Sequence, residues 1–200
     1  DVDAVVLATP APTAARLLAP LAPDAADALD EIPYADVASV VLAYPRQGLH
    51  RALDGTGFLV PPADGRLIVG CTWLPVKWPH LADPSVVLIR CSVGRHGDTR
   101  WTEFDDEELV ARVHRELTPV LELSAPPSHS SVQRWPRGLP QYTVGHRERL
   151  RRIDTALRAL PGVHLTGAAY RGVGVAACVA DAERTASALA DGDAPVRLGP

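Results

Sequence analysis

The segment of residues 163–189, VHLTGAAYRGVGVAACVADAERTASAL, constrains the fold more than any other part of the chain. Its short apolar run, glycine-rich turn and long alanine-rich run predict a buried strand, a tight turn and a helix. Gly167, Gly172 and Gly174 carry no side chain, so the backbone can approach a ligand closely there. The first N–H groups of a helix lack intrahelical acceptors and attract anions. The pattern therefore favours a phosphate-bearing nucleotide cofactor.

Gly172, Gly174 and Ala177 match GxGxxA, a relaxed form of the dinucleotide-binding fingerprint. A complete Rossmann unit would continue with a second strand and an acidic residue about 20 positions on. Only about two dozen residues follow Val175, which is too few. We therefore expect a second glycine-rich cap over the cofactor, with the principal nucleotide fold supplied by another segment. A glycine turn with a purely structural role is the alternative.

Composition narrows the function classes. A share of 46% apolar residues is typical of a soluble globular protein, and a net charge of -4 gives no general attraction to nucleic acid or anionic lipid. Cys71, Cys91 and Cys178 are odd in number and form no CxxC pair, which argues against a disulfide framework and a zinc site. No apolar run reaches the roughly 20 residues that span a bilayer. We expect a cytoplasmic protein without metal, nucleic acid or a transmembrane segment.

Hydrophobic periodicity divides the chain into strands and helices. Strands are predicted at residues 3–8, 37–44, 57–60, 66–74, 85–93 and 128–135, and at the start of 163–189. Five helices are predicted. The second covers residues 24–31, and the other four are predicted from apolar stripes at helical spacing. These stripes are Ala14, Leu17, Leu18 and Leu21 in the first helix; Leu109, Val110, Val113, Leu117 and Val120 in the third, which ends near Pro119; Leu150, Ile153, Leu157 and Leu160 in the fourth; and Val175, Val179, Ala182, Ala186 and Leu189 in the fifth. The acidic run 105–108 is interpreted as the first turn of the third helix.

This order of elements predicts a mixed α/β (α+β) fold with two interleaved domains. Residues 1–30 and 130–193 are predicted to form an outer domain around a β-rich middle, residues 33–128, with an antiparallel meander. Residues 194–200 are predicted to be a frayed tail. Because the chain starts without methionine and enters a strand at once, we expect it to be part of a longer polypeptide.

Four blocks carry a resemblance to a known family: DAVVLATPAPTAARLLAPL from Asp3; GTGFLVP from Gly55 with RLIVGCTWLPVKWPH from Arg66; RWPRGLPQYTVGH from Arg134; and HLTGAAYRGVGVAACVADA from His164. In order and spacing they resemble the bacterial FAD-dependent protoporphyrinogen or coproporphyrinogen III oxidases of haem synthesis, which are similar in fold to monoamine oxidases. The resemblance implies the C-terminal part of a two-domain FAD-linked oxidoreductase. That part would combine an antiparallel substrate-domain sheet with the end of the FAD domain, and the N-terminal dinucleotide fingerprint would lie upstream.

The resemblance also implies roles for individual residues. Gly172, Val173, Gly174 and Val175 take the positions where the backbone meets the flavin and its ribityl-phosphate arm. Trp135 takes the family's tryptophan position beside the FAD, although without the resemblance the residue type favours a core aromatic. Tyr142 and His146 are motif residues interpreted as structural, and Cys178 as a buried structural thiol.

The β-rich middle resembles the family's substrate domain. By that resemblance Gly57, Phe58 and Leu59 bind the substrate, with Thr9 and Leu17 contributing from the opening segment. A porphyrinogen carries carboxylates that arginine can bind in bidentate fashion. Arg46, Arg95 and Arg100 are candidates for that contact, and a solvated surface charge is the alternative for each. No residue is identified as a catalytic base.

The family chemistry implied is oxygen-coupled dehydrogenation of coproporphyrinogen III or protoporphyrinogen IX to the porphyrin, with release of hydrogen peroxide. Coproporphyrinogen is preferred, because the composition is bacterial in type and no membrane anchor is seen. The 200 residues alone are expected to bind FAD weakly or not at all and to be inactive, and a homodimer is left open. The alternatives are another flavin amine oxidase or a carotenoid desaturase, or a non-enzymatic porphyrin-binding module.

Overall fold

A computed structural model describes residues 2–190 and Leu198. It confirms a mixed α/β fold with an antiparallel sheet. The described residues divide into two compact units. Unit 1 contains those up to Tyr34 and from Leu139 onward, and unit 2 is Ala35–Gly138. These divisions lie a few residues beyond the predicted bounds of 30–33 and 128–130.

Unit 1 is built around two short parallel strands, β1 (Val5–Leu7) and β7 (Val163–Leu165). Its helices are α1 (Ala11–Leu18), α2 (Pro23–Asp30), α5 (His146–Leu157) and α6 (Val175–Ala190). Proline opens α2, where its missing N–H costs nothing. Small and aliphatic side chains fill the core, among them Ala11, Ala14, Leu18, Ala25, Leu29, Ile32, Leu150, Ile153 and Leu165.

The helical stripes predicted for unit 1 are only partly correct. Ala14 and Leu18 of α1 are buried as expected, but Leu17 is 52% exposed, and Leu21, which lies beyond the end of α1, is 63% exposed. The buried face of α1 is instead completed by alanines, because α2 approaches closely on that side. The stripe predicted for α6 is wrong, since the fully buried residues of that helix are Asp181 and Thr185.

Unit 2 contains a five-stranded sheet in the order β3-β4-β5-β2-β6. The strands are β2 (Tyr34–Pro45), β3 (Gly57–Leu59), β4 (Ile68–Trp73), β5 (Val86–Val93) and β6 (His129–Pro140). Strands β3, β4 and β5 form the predicted antiparallel meander, and β2 pairs antiparallel to β5. A single turn, α3 (Leu74–Lys77), follows β4.

One long helix, α4 (Asp106–Leu121), supplies the other half of the unit 2 core. Asp105 is its N-cap, and its side chain accepts a hydrogen bond from the Glu108 N–H at 2.8 Å, which confirms the predicted acidic start. Four residues at helical spacing are fully buried: Leu109, Val113, Leu117 and Leu121. The helix continues past the predicted end, so that Pro119 lies within its last turn.

Strand β6 is longer and more exposed than predicted. It runs to Pro140 rather than stopping at residue 135, and it includes Pro136. A proline is tolerated there because β6 is an edge strand, where one N–H has no ladder partner. Most of its residues are exposed, so the predicted half-buried alternation is restricted to the neighbourhood of Val132 and Arg134.

Of the predicted tail, all but Leu198 lies outside the described residues. Leu198 is buried, and its N–H donates to the Asp154 carboxylate at 2.8 and 2.9 Å. This residue is therefore not frayed. Within residues 2–190, no helix has the length and apolar character needed to cross a bilayer.

Candidate functional site

The two parallel strands of unit 1 end side by side. Leu7 in β1 is opposite Leu165 in β7, and the Thr166 N–H donates to the Leu7 carbonyl oxygen at 3.3 Å. The turn into α1 and the glycine-rich turn into α6 both leave this carboxyl edge. Ligands of parallel α/β sheets bind at such an edge. The edge is therefore the candidate site of unit 1.

Two glycines of the glycine-rich turn differ in their surroundings: Gly172 is needed for close packing, whereas the space beside Gly174 is open. Gly172 has φ of +149°, and a Cβ there would lie 2.5 Å from the Ala177 Cβ. A Cβ on Gly174 would meet no atom of the described residues within 4 Å. The Gly174 carbonyl accepts the Cys178 N–H at 2.9 Å, which begins α6. The N–H groups just before Cys178 thus have no intrahelical acceptor and can bind an anion.

Asp181, which the sequence analysis missed, anchors this turn from inside α6. Its carboxylate is 1% exposed and accepts hydrogen bonds from the Thr166 hydroxyl at 2.8 Å and the Gly167 N–H at 3.0 Å. The Arg171 guanidinium also pairs with it and donates to the Leu165 carbonyl oxygen at 3.1 Å. One carboxylate therefore joins the strand end, the turn and the helix.

The pKa of Asp181 follows from these contacts. Burial alone would raise it, but the hydrogen bonds from Arg171, Gly167 and Thr166 outweigh burial and lower the pKa below its usual range. Asp181 is therefore ionised at neutral pH and pairs with a cation. The signal in the sequence was a polar pair at i and i+4, Asp181 and Thr185, within an otherwise alanine-rich helix.

Tyr142 and His146 hold the same turn from the opposite side. Their rings stack with centroids 3.9 Å apart at an interplanar angle of 15°. The Tyr142 hydroxyl bonds to the Ala168 carbonyl oxygen and to the Gly172 N–H, each at 2.8 Å. Burial lowers the pKa of His146, so its ring is neutral at pH 7.

The remaining residues predicted for unit 1 lie around the same edge or beside it. Thr9 follows β1, and its buried hydroxyl has no hydrogen-bond partner within residues 2–190 and Leu198. Leu17 projects from α1 and is half exposed. Val173 and Val175 flank Gly174 and are 38% and 83% exposed. Cys178 is half-buried rather than buried, and its thiol donates to the Gly172 carbonyl oxygen at 3.5 Å.

Trp135 belongs to unit 2 and is not a core residue. It is 54% exposed on the edge strand β6. A Cβ on Gly138 would lie 2.6 Å from the Trp135 Cβ, so glycine at 138 makes room for the tryptophan. Arg137 has a positive φ of 47°, and its N–H donates to Asp36 at 2.6 Å. A distorted strand segment thus presents the indole at the surface.

The three predicted substrate residues of unit 2 form β3. Phe58 points inward, where its ring packs edge-on against Trp73 at 5.6 Å. Leu59 points the other way and is 85% exposed. Gly57 has φ of +144°, and a Cβ there would lie 2.0 Å from the Cys71 carbonyl oxygen, so strand packing already requires this glycine. Of the three, Leu59 alone offers a free apolar side chain.

The predicted carboxylate-binding arginines differ in their surroundings. Arg100 makes a bidentate pair with Asp98 at 2.7 and 2.9 Å, so its guanidinium already has a carboxylate partner. Arg95 is half-buried and donates to the Ile68 carbonyl oxygen at 3.4 Å. Arg46 is exposed in a short turn after β2.

The other two cysteines face each other in the core of unit 2. Cys71 and Cys91 are directly opposite on β4 and β5, with their sulfur atoms 3.6 Å apart as free thiols. Their mutual hydrogen bond and burial raise the pKa of Cys91, which keeps the thiol protonated. No group of three or more His, Cys, Asp or Glu side chains that could hold a metal ion occurs in the part of the chain that the structure describes.

Comparison with known proteins gives a consistent result. The family model described as flavin containing amine oxidoreductase matches residues 1–190. The coproporphyrinogen III oxidase of Bacillus subtilis (strain 168) is 34% identical over 180 residues, covering 90% of this chain and 38% of that protein. The enzyme of the same name from Staphylococcus aureus (strain NCTC 8325 / PS 47) is 37% identical over 144 residues, covering 72% of this chain and 31% of that protein.

A solved structure shares the fold over the same extent. It is a protein from Exiguobacterium sp. 255-15 assigned as a protoporphyrinogen oxidase, with 32% identity and a TM-score of 0.79. The match covers 94% of this chain and 41% of that chain. This chain therefore spans about two fifths of the length of the relatives it matches.

Proposed function

This chain belongs to the flavin-containing amine oxidoreductase family, whose cofactor is a flavin, and we propose that it forms part of an FAD-dependent porphyrinogen oxidase. The reaction proposed is oxygen-coupled dehydrogenation of coproporphyrinogen III, or of protoporphyrinogen IX, to the porphyrin. The observation that carries the proposal is the open glycine turn at the carboxyl edge of β1 and β7, in a chain whose relatives are named as such oxidases.

The residues of unit 1 fit the proposed cofactor. The described residues leave open the space that a side chain at Gly174 would occupy. The N–H groups at the start of α6 have no acceptor within the helix. The exposed Val173 and Val175 offer apolar contacts to a flat ring. We propose that Gly172, Val173, Gly174 and Val175 hold the FAD. Trp135, exposed on β6 of unit 2, is proposed as a further contact.

A bound flavin would supply the hydride acceptor for the porphyrinogen, and oxygen would take up the electrons as hydrogen peroxide. The residues of this chain are proposed to hold the cofactor and to shield the reaction from water. The positive end of the α6 dipole stabilises negative charge on the cofactor. Asp181 holds the turn that carries these N–H groups, and its pairing with Arg171 keeps its own negative charge from opposing that effect.

Unit 1 is proposed to be part of the FAD-binding domain and unit 2 the substrate-binding domain. Leu59 on β3 supplies an apolar surface for the macrocycle. Thr9 and Leu17 are proposed as substrate contacts from unit 1. Arg46 and Arg95 are better candidates for a substrate carboxylate than Arg100, because Arg100 already pairs with Asp98. The reaction is placed in the cytoplasm, and a homodimer is the assembly to test.

The test uses the complete gene product. Its visible spectrum is recorded, coproporphyrinogen III is added in air, and porphyrin fluorescence and peroxide are followed together. The porphyrinogen loses six electrons and six protons on becoming the porphyrin, and each oxygen takes up two of each, so flavin absorption with about three molecules of peroxide formed for each porphyrin is the expected result. A colourless protein that binds porphyrin without peroxide would establish the binding-module alternative. A yellow protein that oxidises amines or carotenoid precursors but leaves the porphyrinogen intact would establish the other flavoenzyme alternative.

A further inference from the structure

The Tyr142 hydroxyl joins two positions of the glycine-rich turn. It donates to the Ala168 carbonyl oxygen and accepts from the Gly172 N–H, each at 2.8 Å. A tyrosine hydroxyl can donate one hydrogen bond and accept another at once. Burial raises the pKa of Tyr142, so the donated proton is retained at neutral pH. One atom therefore fixes Gly172 relative to Ala168.

The Tyr142 ring is itself held in place, although it is 41% exposed. It stacks on His146, which is 7% exposed and lies at the start of α5. The His146 Nε2 is 3.4 Å from the Tyr170 carbonyl oxygen. The same pair of aromatic rings thus contacts the turn at Ala168, Tyr170 and Gly172.

The turn has a second attachment of a different kind. Asp181 binds the beginning of the turn, Thr166 and Gly167, and is 1% exposed. Tyr142 binds the end of the turn that leads into α6. Loss of the buried Asp181 carboxylate removes its hydrogen bonds to Thr166 and Gly167 together with an ion pair, whereas loss of the Tyr142 hydroxyl leaves the ring packing intact. The two attachments can therefore be separated by experiment.

Gly172 is the position where such an attachment matters most. Its φ of +149° is a backbone conformation that residues with a side chain rarely adopt. Since glycine has no side chain, hydrogen bonds to its peptide groups must fix its position. Its N–H is fixed by Tyr142, and its carbonyl oxygen accepts a weak contact from the Cys178 thiol at 3.5 Å. Without the hydroxyl, the peptide that joins Arg171 to Gly172, and so leads into the segment from Gly172 to Gly174, loses this hydrogen bond.

We infer that Tyr142 is a positioning residue for the flavin, because its hydroxyl sets the direction of the backbone from Gly172 to Gly174. The inference rests on the proposed function, in which that backbone meets the FAD. It goes beyond a structural role for Tyr142, since it assigns the hydroxyl an effect on the cofactor and not on the stability of the fold.

The test compares Tyr142→Phe with the wild type in the complete gene product. The matched control is Tyr44→Phe, which removes a tyrosine hydroxyl bonded to His114 at 3.0 Å in unit 2. For each protein we measure the Kd for FAD, the visible circular dichroism of the bound flavin at saturation, and the melting temperature of the FAD-free protein. We expect Tyr142→Phe to weaken FAD binding about tenfold, the equivalent of one hydrogen bond, and to change the dichroism. The control should change neither.

The outcomes separate the inference from the proposed function. Unchanged FAD affinity and dichroism in Tyr142→Phe would overturn the inference and leave the proposed function standing. A fall in the melting temperature of the FAD-free variant by more than that of Tyr44→Phe would assign the hydroxyl to the fold and also overturn it. A wild-type protein that binds no FAD would overturn both.

Discussion

Helices α4 and α6 have the same length of 16 residues but are held in opposite ways. Helix α4 fully buries Leu109, Val113, Leu117 and Leu121 and leaves its charged residues exposed or half-buried. Helix α6 buries Asp181 and Thr185 and exposes Val175 and Val179. The first is held by apolar area, and the second by a few hydrogen bonds and an ion pair.

The difference matches what each helix does. Apolar packing gives stability without fixing a direction, which suits the helix that completes the core of unit 2. Hydrogen bonds fix distances and angles, which suits a helix whose first turn is proposed to meet a cofactor. The polar attachment of α6 also leaves its apolar face, with Val175 and Val179, free for other contacts. Four substitutions test this contrast, from the largest expected effect to the smallest.

Leu117→Ala should destabilise unit 2 most. Leu117 is fully buried, and its truncation leaves a cavity between α4 and the sheet that costs about 3–5 kcal/mol. All four tryptophans lie within unit 2, so urea unfolding followed by tryptophan fluorescence reports this loss. Leu81→Ala, at a residue of unit 2 that is 39% exposed, is the control and should change the free energy of unfolding by less than about 1 kcal/mol. Equal losses in the two variants would contradict the assignment of Leu117 to the core.

Asp181→Ala should have a comparable but smaller effect on unit 1, about 3 kcal/mol, because it removes a buried carboxylate that is bonded to Thr166, Gly167 and Arg171 at once. The readout is the free energy of unfolding from far-ultraviolet circular dichroism in urea. Glu183→Ala, on the exposed side of the same helix, serves as the control. If both variants unfold at the same urea concentration, α6 is not held by its ion pair.

Acid should remove part of the contribution of Asp181. The pKa of Asp181 is lowered in the folded chain from a value of 3.8, so its stabilising effect is complete above that pH and disappears as the pH falls through the lower, folded pKa. We expect the stability difference between wild type and Asp181→Asn to be constant from pH 5 to 7 and to shrink below about pH 4. Urea titrations at several pH values measure it. A difference that stayed constant to pH 2 would show that the charge is not what stabilises the turn.

The same contrast explains what could be predicted from the sequence. Leu109, Val113 and Leu117 of the α4 stripe were predicted correctly, because these residues and the strands that cover them lie in the same unit. The α6 stripe is just as regular, yet the described residues leave most of it exposed. Periodicity identifies the apolar face of a helix but does not identify what packs on it.

The site shows a similar division. The glycine-rich turn, with its open position at Gly174, was found from local pattern because backbone freedom is a property of residue type. The hydrogen bonds that hold that turn were not predicted, because Asp181 lies further along α6 and Tyr142 lies in a separate segment of the chain. Trp135 was predicted to lie near the cofactor from the resemblance alone. Its residue type favoured a core position, and the structure shows that it is not in the core.

Val179→Ala is expected to have the smallest effect of the four substitutions, and it is the sharpest test of the contrast between α4 and α6. Val179 is 53% exposed, so in the 200-residue chain its truncation should change the free energy of unfolding by less than about 0.5 kcal/mol. The matched comparison is Val113→Ala in α4, a fully buried valine, which should cost several times more. Both are measured by urea unfolding with circular dichroism. A loss from Val179→Ala as large as that from Val113→Ala would mean that α6 is held by its apolar face after all, and the distinction between the two helices would fail.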